Sequence, residues 1–388
     1  MERGDGPIAV VGAGIAGLTL ALALRKKGFE VDLYEAVAEL RKVGAGITLA
    51  PNAMHGMQFV GVADAIADAG VEPVKQHVSH WQHGDTLNEF VRADSRERYG
   101  AAYVYIHRAD LQDILFSAAH AAGVRVHLDK RLVAIDSESA EPRLEFADGS
   151  SATAGLVVGA DGLKSVVRQL FRPTPAQFTG HIAFRALAPR VESIRHLIDN
   201  PGIHIGPMKM VVRYPLRKGE LLNLVFFARE DGWTEDGWSI TAKPEELRRL
   251  YGDWCEDIGL LIEAIQPGTL HKWAINAHSP LDSWSRNGRV ILVGDAAHAM
   301  TPFLGQGAAM GIEDAVVLAR ALGSAPDQEQ ALALYQSARL ERTHLVQRES
   351  NLNADRIQGG EAELYGLGKL TSEETLGLFD YDCGSVPL

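Results

Sequence analysis

PIAVVGAGIAGLTLALALRKKGFEVDLYE, residues 7–35, decides the fold. A β-branched run from Ile8 to Val11 feeds Gly12, Gly14 and Gly17. An Ala/Leu segment then runs to about Lys27, Gly28 stops it, and a second run from Glu30 ends on Glu35. The periodicities predict strand, turn, helix and strand, a complete βαβ unit. Gly12 permits the tight turn, Gly14 lets backbone approach a pyrophosphate, and Gly17 lets the helix pack on the strands. The helix opens on Ile15 and Ala16, whose free amides face the anion. Glu35 lies 18 residues beyond Gly17, where a carboxylate accepts hydrogen bonds from a ribose diol and repels a 2'-phosphate. Ala36, directly after it, completes this dinucleotide-binding set.

The rest of the composition narrows the class. The chain has 388 residues, 46% hydrophobic and 23% charged, ordinary for a globular protein with a large core. A net charge of -12 with no dense Lys/Arg run argues against a nucleic-acid partner. Cys255 and Cys383 are the two cysteines, with no CxxC pair, so a reducing cytoplasm is expected. Ile8–Leu24 is apolar enough to suggest a membrane span. It is only 17 residues long, carries the patterned glycines and follows MERGDGP, which lacks the positive region of a signal peptide. No membrane partner is expected.

Two later segments repeat the acid-tipped strand. GLVVGADGLKSVVRQLF (155–171) ends its strand near Asp161, with Ser165 and Arg168 in the following helix. NGRVILVGDAAHAMTPFLGQGAAMGIEDAVVLARAL (287–322) ends a third strand at Asp295. GHIAFRALAP (180–189) and KMVVRYPLRKGELLNLVFFARE (209–230) read as antiparallel strands, the latter a hairpin through RKG. Period-two spacing sets Met210, Val212 and Tyr214 on one face, Val211 and Arg213 on the other.

Taken in order, GAGIAG, GADGLKSVVR and GDAAHAMTPFLGQGAAMGIEDA resemble the single-component FAD-dependent aromatic hydroxylases, closest to the salicylate and 3-hydroxybenzoate type. KVGAGI (42–47), HRADL (107–111) and YPLRKGELLNLV (214–225) extend the likeness over essentially the whole chain. The resemblance implies an α/β fold: a discontinuous Rossmann-like FAD-binding domain (1–75, 100–171, 281–325), a mostly antiparallel β-sheet substrate domain (76–99, 172–280) and a helical C-terminal segment (326–388). It implies bound FAD, NADH or NADPH as co-substrate with NADH favoured, and O2. The reaction implied is hydroxylation of a small aromatic or heteroaromatic acid through a flavin 4a-hydroperoxide, in a monomer or homodimer.

Residue by residue, the resemblance sets Asp295 on the ribityl chain, Arg108 against the cofactor, and Arg41, Gly46, Ile47 and Thr48 in a loop near the flavin ring. Leu132 matches a backbone position near adenine, although core strand accounts for it equally well. Asp161 and Arg168 match residues linked to both nucleotides, the plain alternative being a capping acid and a surface arginine. Pro302 prevents an early helix start, so the helix begins near Gly305 to Gly307. The amides of Gly307 and Ala308 then point at the flavin's pyrimidine edge, where the helix terminus adds about half a positive charge.

Met210, Val212, Tyr214 and Phe303 are the substrate set, with Tyr214 and Pro302 the catalytic candidates. Some relatives carry a histidine four residues before this tyrosine that deprotonates the substrate. Here Met210 stands instead, which leaves Tyr214, His204, His181 or water for that task, or a substrate that needs no such activation. Hydroxynicotinate relatives also have a histidine where this chain has Thr48. A dehydrogenase or epoxidase with a lipophilic substrate, or a flavin redox sensor without turnover, are the alternative readings; a pocket without an anion-binding arginine favours the first. No metal-spaced cluster and no nucleophile elbow is present.

Overall fold

The computed structural model describes residues 6–40, 45–139, 141–230, 232–233, 240–359 and 372–388. The opening motif folds as the pattern requires: strand Ile8–Val11, helix Ile15–Lys26 and strand Val31–Tyr34. The helix is apolar nearly all round, with Leu18 to Leu24 buried, because the sheet lies under one side and helix Gly307–Ser324 covers another.

That unit sits in a six-stranded sheet. Its order is Ser285–Arg286, Val290–Leu292, Leu156–Gly159, Ile8–Val11, Val31–Tyr34 and Arg125–His127. All pairings are parallel except at the Ser285–Arg286 edge. The strands preceding Asp161 and Asp295 are therefore successive neighbours of the first strand, with Ile8 opposite Leu156 and Val157 opposite Val290. Glycine turns separated by nearly the whole chain meet at the carboxyl edge of one sheet, where open α/β sheets bind ligands.

The second layer is an eight-stranded mixed sheet ordered Ile240–Thr241, His271–Ala277, Gln177–Pro189, Leu221–Arg229, Lys209–Leu216, Gly202–Gly206, Lys75–His80 and Thr86–Val91. Lys209–Leu216 and Leu221–Arg229 form the expected hairpin, with Met210 opposite Phe227 and Tyr214 opposite Asn223. The alternate strand positions, Val211 and Phe226 among them, form a core on the far side with helix residues such as Tyr251. Met210, Val225, Phe227 and Phe303 cluster on the near side.

Helix Gln328–Ile357 spans 30 residues and closes the molecule from behind. Its buried Arg339 pairs with Glu313 and with Asp314, the latter at 2.8 Å. Residues 372–388 are turns whose Leu378, Phe379 and Cys383 enter the main core. Among the described residues no helix is long and apolar enough to cross a membrane.

Candidate active site

A cavity of about 670 Å³ lies between the carboxyl edge of the six-stranded sheet and the near face of the eight-stranded one. Gly14, Ile15 and Ala16 open on it from the first helix start. The first turn cannot tolerate added atoms. A Cβ on Gly12 would lie 2.4 Å from the Ala160 carbonyl oxygen, and one on Gly17 would lie 1.9 Å from that of Gly12. Gly12 also has φ +104°, a region that L side chains avoid. A Cβ on Gly14 would meet nothing, so this stretch of backbone is bare to the cavity. We expect Gly17→Ala to push the turn open and purify with flavin content well below that of the wild type, read as the flavin-to-protein absorbance ratio. Equal flavin content would show that the turn absorbs the methyl group.

Glu35 braces the turn, its carboxylate accepting from Ala13 N at 2.8 Å and Val37 N at 3.1 Å. Ala36 follows it, half-buried. Leu132 begins strand Leu132–Asp136 with its side chain in the core. Asp161 turns back on its own loop, accepting from Ser165 Oγ at 2.5 Å and Val166 N at 2.7 Å. Arg168 corrects the surface-arginine alternative: it is 2% exposed and donates to the carbonyls of Ala296, Ala297 and Ser279. A cation on the middle motif thus ties down the last one, a role spacing could not disclose. Arg41 lies outside the described residues.

The late segment departs from expectation in detail. Asp295 is the first residue of a short helix, Asp295–His298, after Gly294 at φ +60°, and its side chain lines the cavity. Pro302 begins a 3-10 turn, Pro302–Leu304, since its missing N–H is no loss at a first helical position. Gly305 then takes φ +65° and helix Gly307–Ser324 starts. The first amide bonded within it is that of Met310, to Gln306 O, so those of Gly307 and Ala308 remain free beside the cavity. Glycines 305 and 307 present backbone to open space.

On the opposite wall, strand Gly46–Leu49 brings Gly46, Ile47 and Thr48 to the cavity, with Gly46 N donating to Asn223 Oδ1 at 2.7 Å. A Cβ on Gly46 would lie 2.3 Å from the Tyr214 ring. Arg108, at the start of helix Arg108–Ala121, lines the cavity too. Met210, Val212 and Tyr214 line the cavity, as period-two spacing predicts, and Phe303 lines it from the late loop. Tyr214 stacks on Tyr105 at 4.6 Å. Burial pushes its phenol up to about 12, against the opposing pull of Arg185 and Thr48. At neutral pH it is therefore a hydroxyl.

His204 and His181 do not reach the cavity, which corrects their place among the proton acceptors. His204 alternates with cavity-lining Ile203 and so points to the other face, 0% exposed, its Nε2 3.7 Å from Asp257. There its ring, Cys255 and Asp257 bring ligand-type atoms within 4.8 Å of one another, a cluster chain spacing did not show. His181 packs behind Phe303, ring centroids 4.9 Å apart.

The sequence reading missed Arg185. Strand Gln177–Pro189 turns it toward the cavity, its guanidinium 4.7 Å from the Trp273 ring centroid. Its Nε is buried with no hydrogen-bond partner among the described residues. Burial pulls its pKa down, with Tyr214 opposing and Arg108 adding. An arginine inside AFRAL was the available signal: a cation in an otherwise apolar strand must face something polar.

A bare glycine turn against a braced acid, a helix start with free amides, and a wide cavity joining them fit one extended dinucleotide with a planar ring system. The fold and site thus define a flavin-binding oxidoreductase. The comparisons agree. The family described as FAD binding domain matches residues 5–350. The chain is 33% identical to 6-hydroxynicotinate 3-monooxygenase of Pseudomonas fluorescens, covering 98% of this chain and 96% of that one. It is 34% identical to 3-hydroxybenzoate 6-hydroxylase of Polaromonas naphthalenivorans, over 87% and 85%. The crystal structure of Klebsiella pneumoniae HpxO complexed with FAD and uric acid superposes with a TM-score of 0.85 at 27% identity, covering 98% and 96%. The chain belongs to the FAD-dependent aromatic hydroxylase family and is a flavoprotein monooxygenase.

Proposed function

We propose that this enzyme uses NAD(P)H and O2 to hydroxylate a small aromatic or heteroaromatic ring bearing a carboxylate, and that Arg185 seats that carboxylate. The observation that carries the reading is the Arg185 guanidinium, without a hydrogen-bonded or ion-pair partner among the described residues, on the cavity wall beside Tyr214 and stacked on Trp273. A cation left without a partner in a half-buried site is costly unless a ligand supplies the anion. This argues against the lipophilic-substrate alternative. FAD, when bound, supplies two-electron reduction by the pyridine nucleotide and activation of O2, one atom entering the ring and the other leaving as water. Gly14, Ile15 and Ala16 would hold its phosphates, Glu35 its ribose, Asp295 its ribityl chain, and the Gly307 and Ala308 amides its pyrimidine edge.

The apolar roof of Met210, Val212 and Phe303 excludes water from the ring. Tyr214 donates or shares a hydrogen bond with a ring substituent. NADH is favoured and visits transiently, as one complete βαβ fingerprint is present in the sequence. The test is incubation of the FAD-loaded enzyme with NADH, O2 and a panel of hydroxybenzoates and hydroxypyridinecarboxylates. The expected result is NADH oxidation driven at a much lower KM by acids than by their carboxamides, with one oxygen atom incorporated into the product. Absence of oxygenated product with every carboxylated ring would overturn the reading.

A further inference from the structure

The C-terminal turns return to the cavity, which Ser372 and Glu373 line at the end formed by Gln76, Arg92 and Tyr103. Two carboxylates face the cavity among the described residues, and they stand apart in role: Asp295 belongs to the last glycine motif, Glu373 to this distal end. The adjacent Glu374 is fully engaged, accepting from Arg92 Nη1 at 2.9 Å, Tyr99 Oη at 2.9 Å and Arg98 Nη1 at 3.1 Å. Arg92 also gives Nη2 to Gln76 at 3.2 Å and stacks on Tyr103 and Phe379. Among the described residues no other side chain hydrogen-bonds or pairs with the Glu373 carboxyl, on which its own backbone amide acts.

Burial raises the Glu373 pKa and Glu374 adds to the rise, while Arg92 opposes it. Tyr103 and Tyr105 lie within its field, and their own burial keeps both phenols protonated at neutral pH. The roof offers no proton acceptor in competition, since Met210 has none and Tyr214 is a hydroxyl. The cavity thus carries the Arg185 guanidinium on one wall and the Glu373 carboxyl at the end where Arg92 is already committed to Glu374.

We propose that Glu373 is a specificity residue that accepts a hydrogen bond or proton from a hydroxyl, amino or ring N–H group of the same aromatic acid whose carboxylate lies on Arg185. This rests on the reading of Arg185 above and adds the second half of the substrate: an aromatic acid carrying a proton donor. The proton moves from the donor oxygen or nitrogen to a Glu373 carboxylate oxygen and returns on release, with no change of oxidation state.

The test uses the full-length FAD-loaded enzyme without NADH, and binding is followed by perturbation of the flavin absorbance. The probes are benzoate and the positional isomers of hydroxybenzoate and aminobenzoate. We expect at least one donor-bearing isomer to bind the wild type about tenfold or more tighter than benzoate, the scale of a hydrogen bond to a charged group. Glu373→Ala, which removes the acceptor, should bring that ratio to within about twofold of unity while leaving benzoate binding unchanged. Glu373→Gln, which keeps an acceptor oxygen but no charge, should lower the ratio without abolishing it; melting temperature and flavin content confirm folding. A preference retained in both variants, or no preference in the wild type, overturns the role of Glu373 and leaves the carboxylate reading standing. Failure of benzoate and of every isomer to bind the wild type overturns the carboxylate reading beneath it.

Discussion

Arg185→Met should raise the KM for a carboxylated substrate by about 10- to 150-fold, the range of a hydrogen-bonded charge pair lost from a site shielded from water. The effect should fall on KM more than on kcat, because the carboxylate is bound alike before and during ring attack. The matching carboxamide should lose little, since it brings no charge to neutralise. The same substitution should leave the ligand-free enzyme as stable as the wild type or more so, because methionine fills the space over Trp273 without an uncompensated charge. A stability gain joined to a binding loss marks a cation held for a ligand. Equal KM changes for acid and amide, or a fall in melting temperature matching the loss of activity, would show instead that Arg185 serves the fold.

The largest loss of stability should come from Arg339→Ala. Glu313, Asp314 and Arg339 are each 0% exposed. Arg339 Nε reaches Asp314 Oδ1 at 2.8 Å, and its Nη1 pairs with Glu313. Removing the guanidinium strands negative charge inside the protein, at a cost of about 3–5 kcal/mol, although Arg342 still reaches Glu313 at 2.8 Å and His298 still reaches Asp314. Arg339→Lys should recover part of the loss.

The consequence reaches the cofactor because Asp314 also accepts the Gly294 amide at 2.9 Å, fixing the turn before Asp295. FAD should therefore be released at lower urea concentration than from the wild type, read as the rise in free-flavin fluorescence. Acid should act on the same network. His298 and Arg339 outweigh burial and hold the Asp314 carboxyl at about 2, below its ordinary 3.8. A depressed folded pKa gives stability that is present above the unfolded value and lost as pH falls toward the folded one. Wild-type stability should drop between about pH 4 and pH 2, more steeply than that of Arg339→Ala. An unchanged urea midpoint in Arg339→Ala would refute both expectations.

The opening βαβ unit was legible because each residue there answers a local demand. Gly12 needs a positive φ, Gly17 a missing Cβ, and Glu35 the end of its strand. The hairpin was equally plain, since alternation fixes which side chains share a face and RKG sets the turn. The late loop was legible in outline only. That Pro302 starts a 3-10 turn, and that Asp295 heads its own short helix, depend on how Arg168, Asp314 and the C-terminal helix grip that backbone. His204 looked like a candidate acceptor until the sheet showed which face it occupies.

By itself the sequence determined the Rossmann-type cofactor unit, the hairpin roof and the residues Met210, Val212 and Tyr214 that face inward, because strand and helix periodicities and glycine sterics act over a few residues. Tertiary structure alone decided that three distant glycine turns share one sheet edge, that Arg185 stands on the cavity wall without a partner among the described residues, and that Glu373 returns to line the same cavity. Charge partners are chosen across space, where Arg185 and Glu373 are separated by 188 positions in the chain, and no local pattern records which of them will find each other or be left for a ligand.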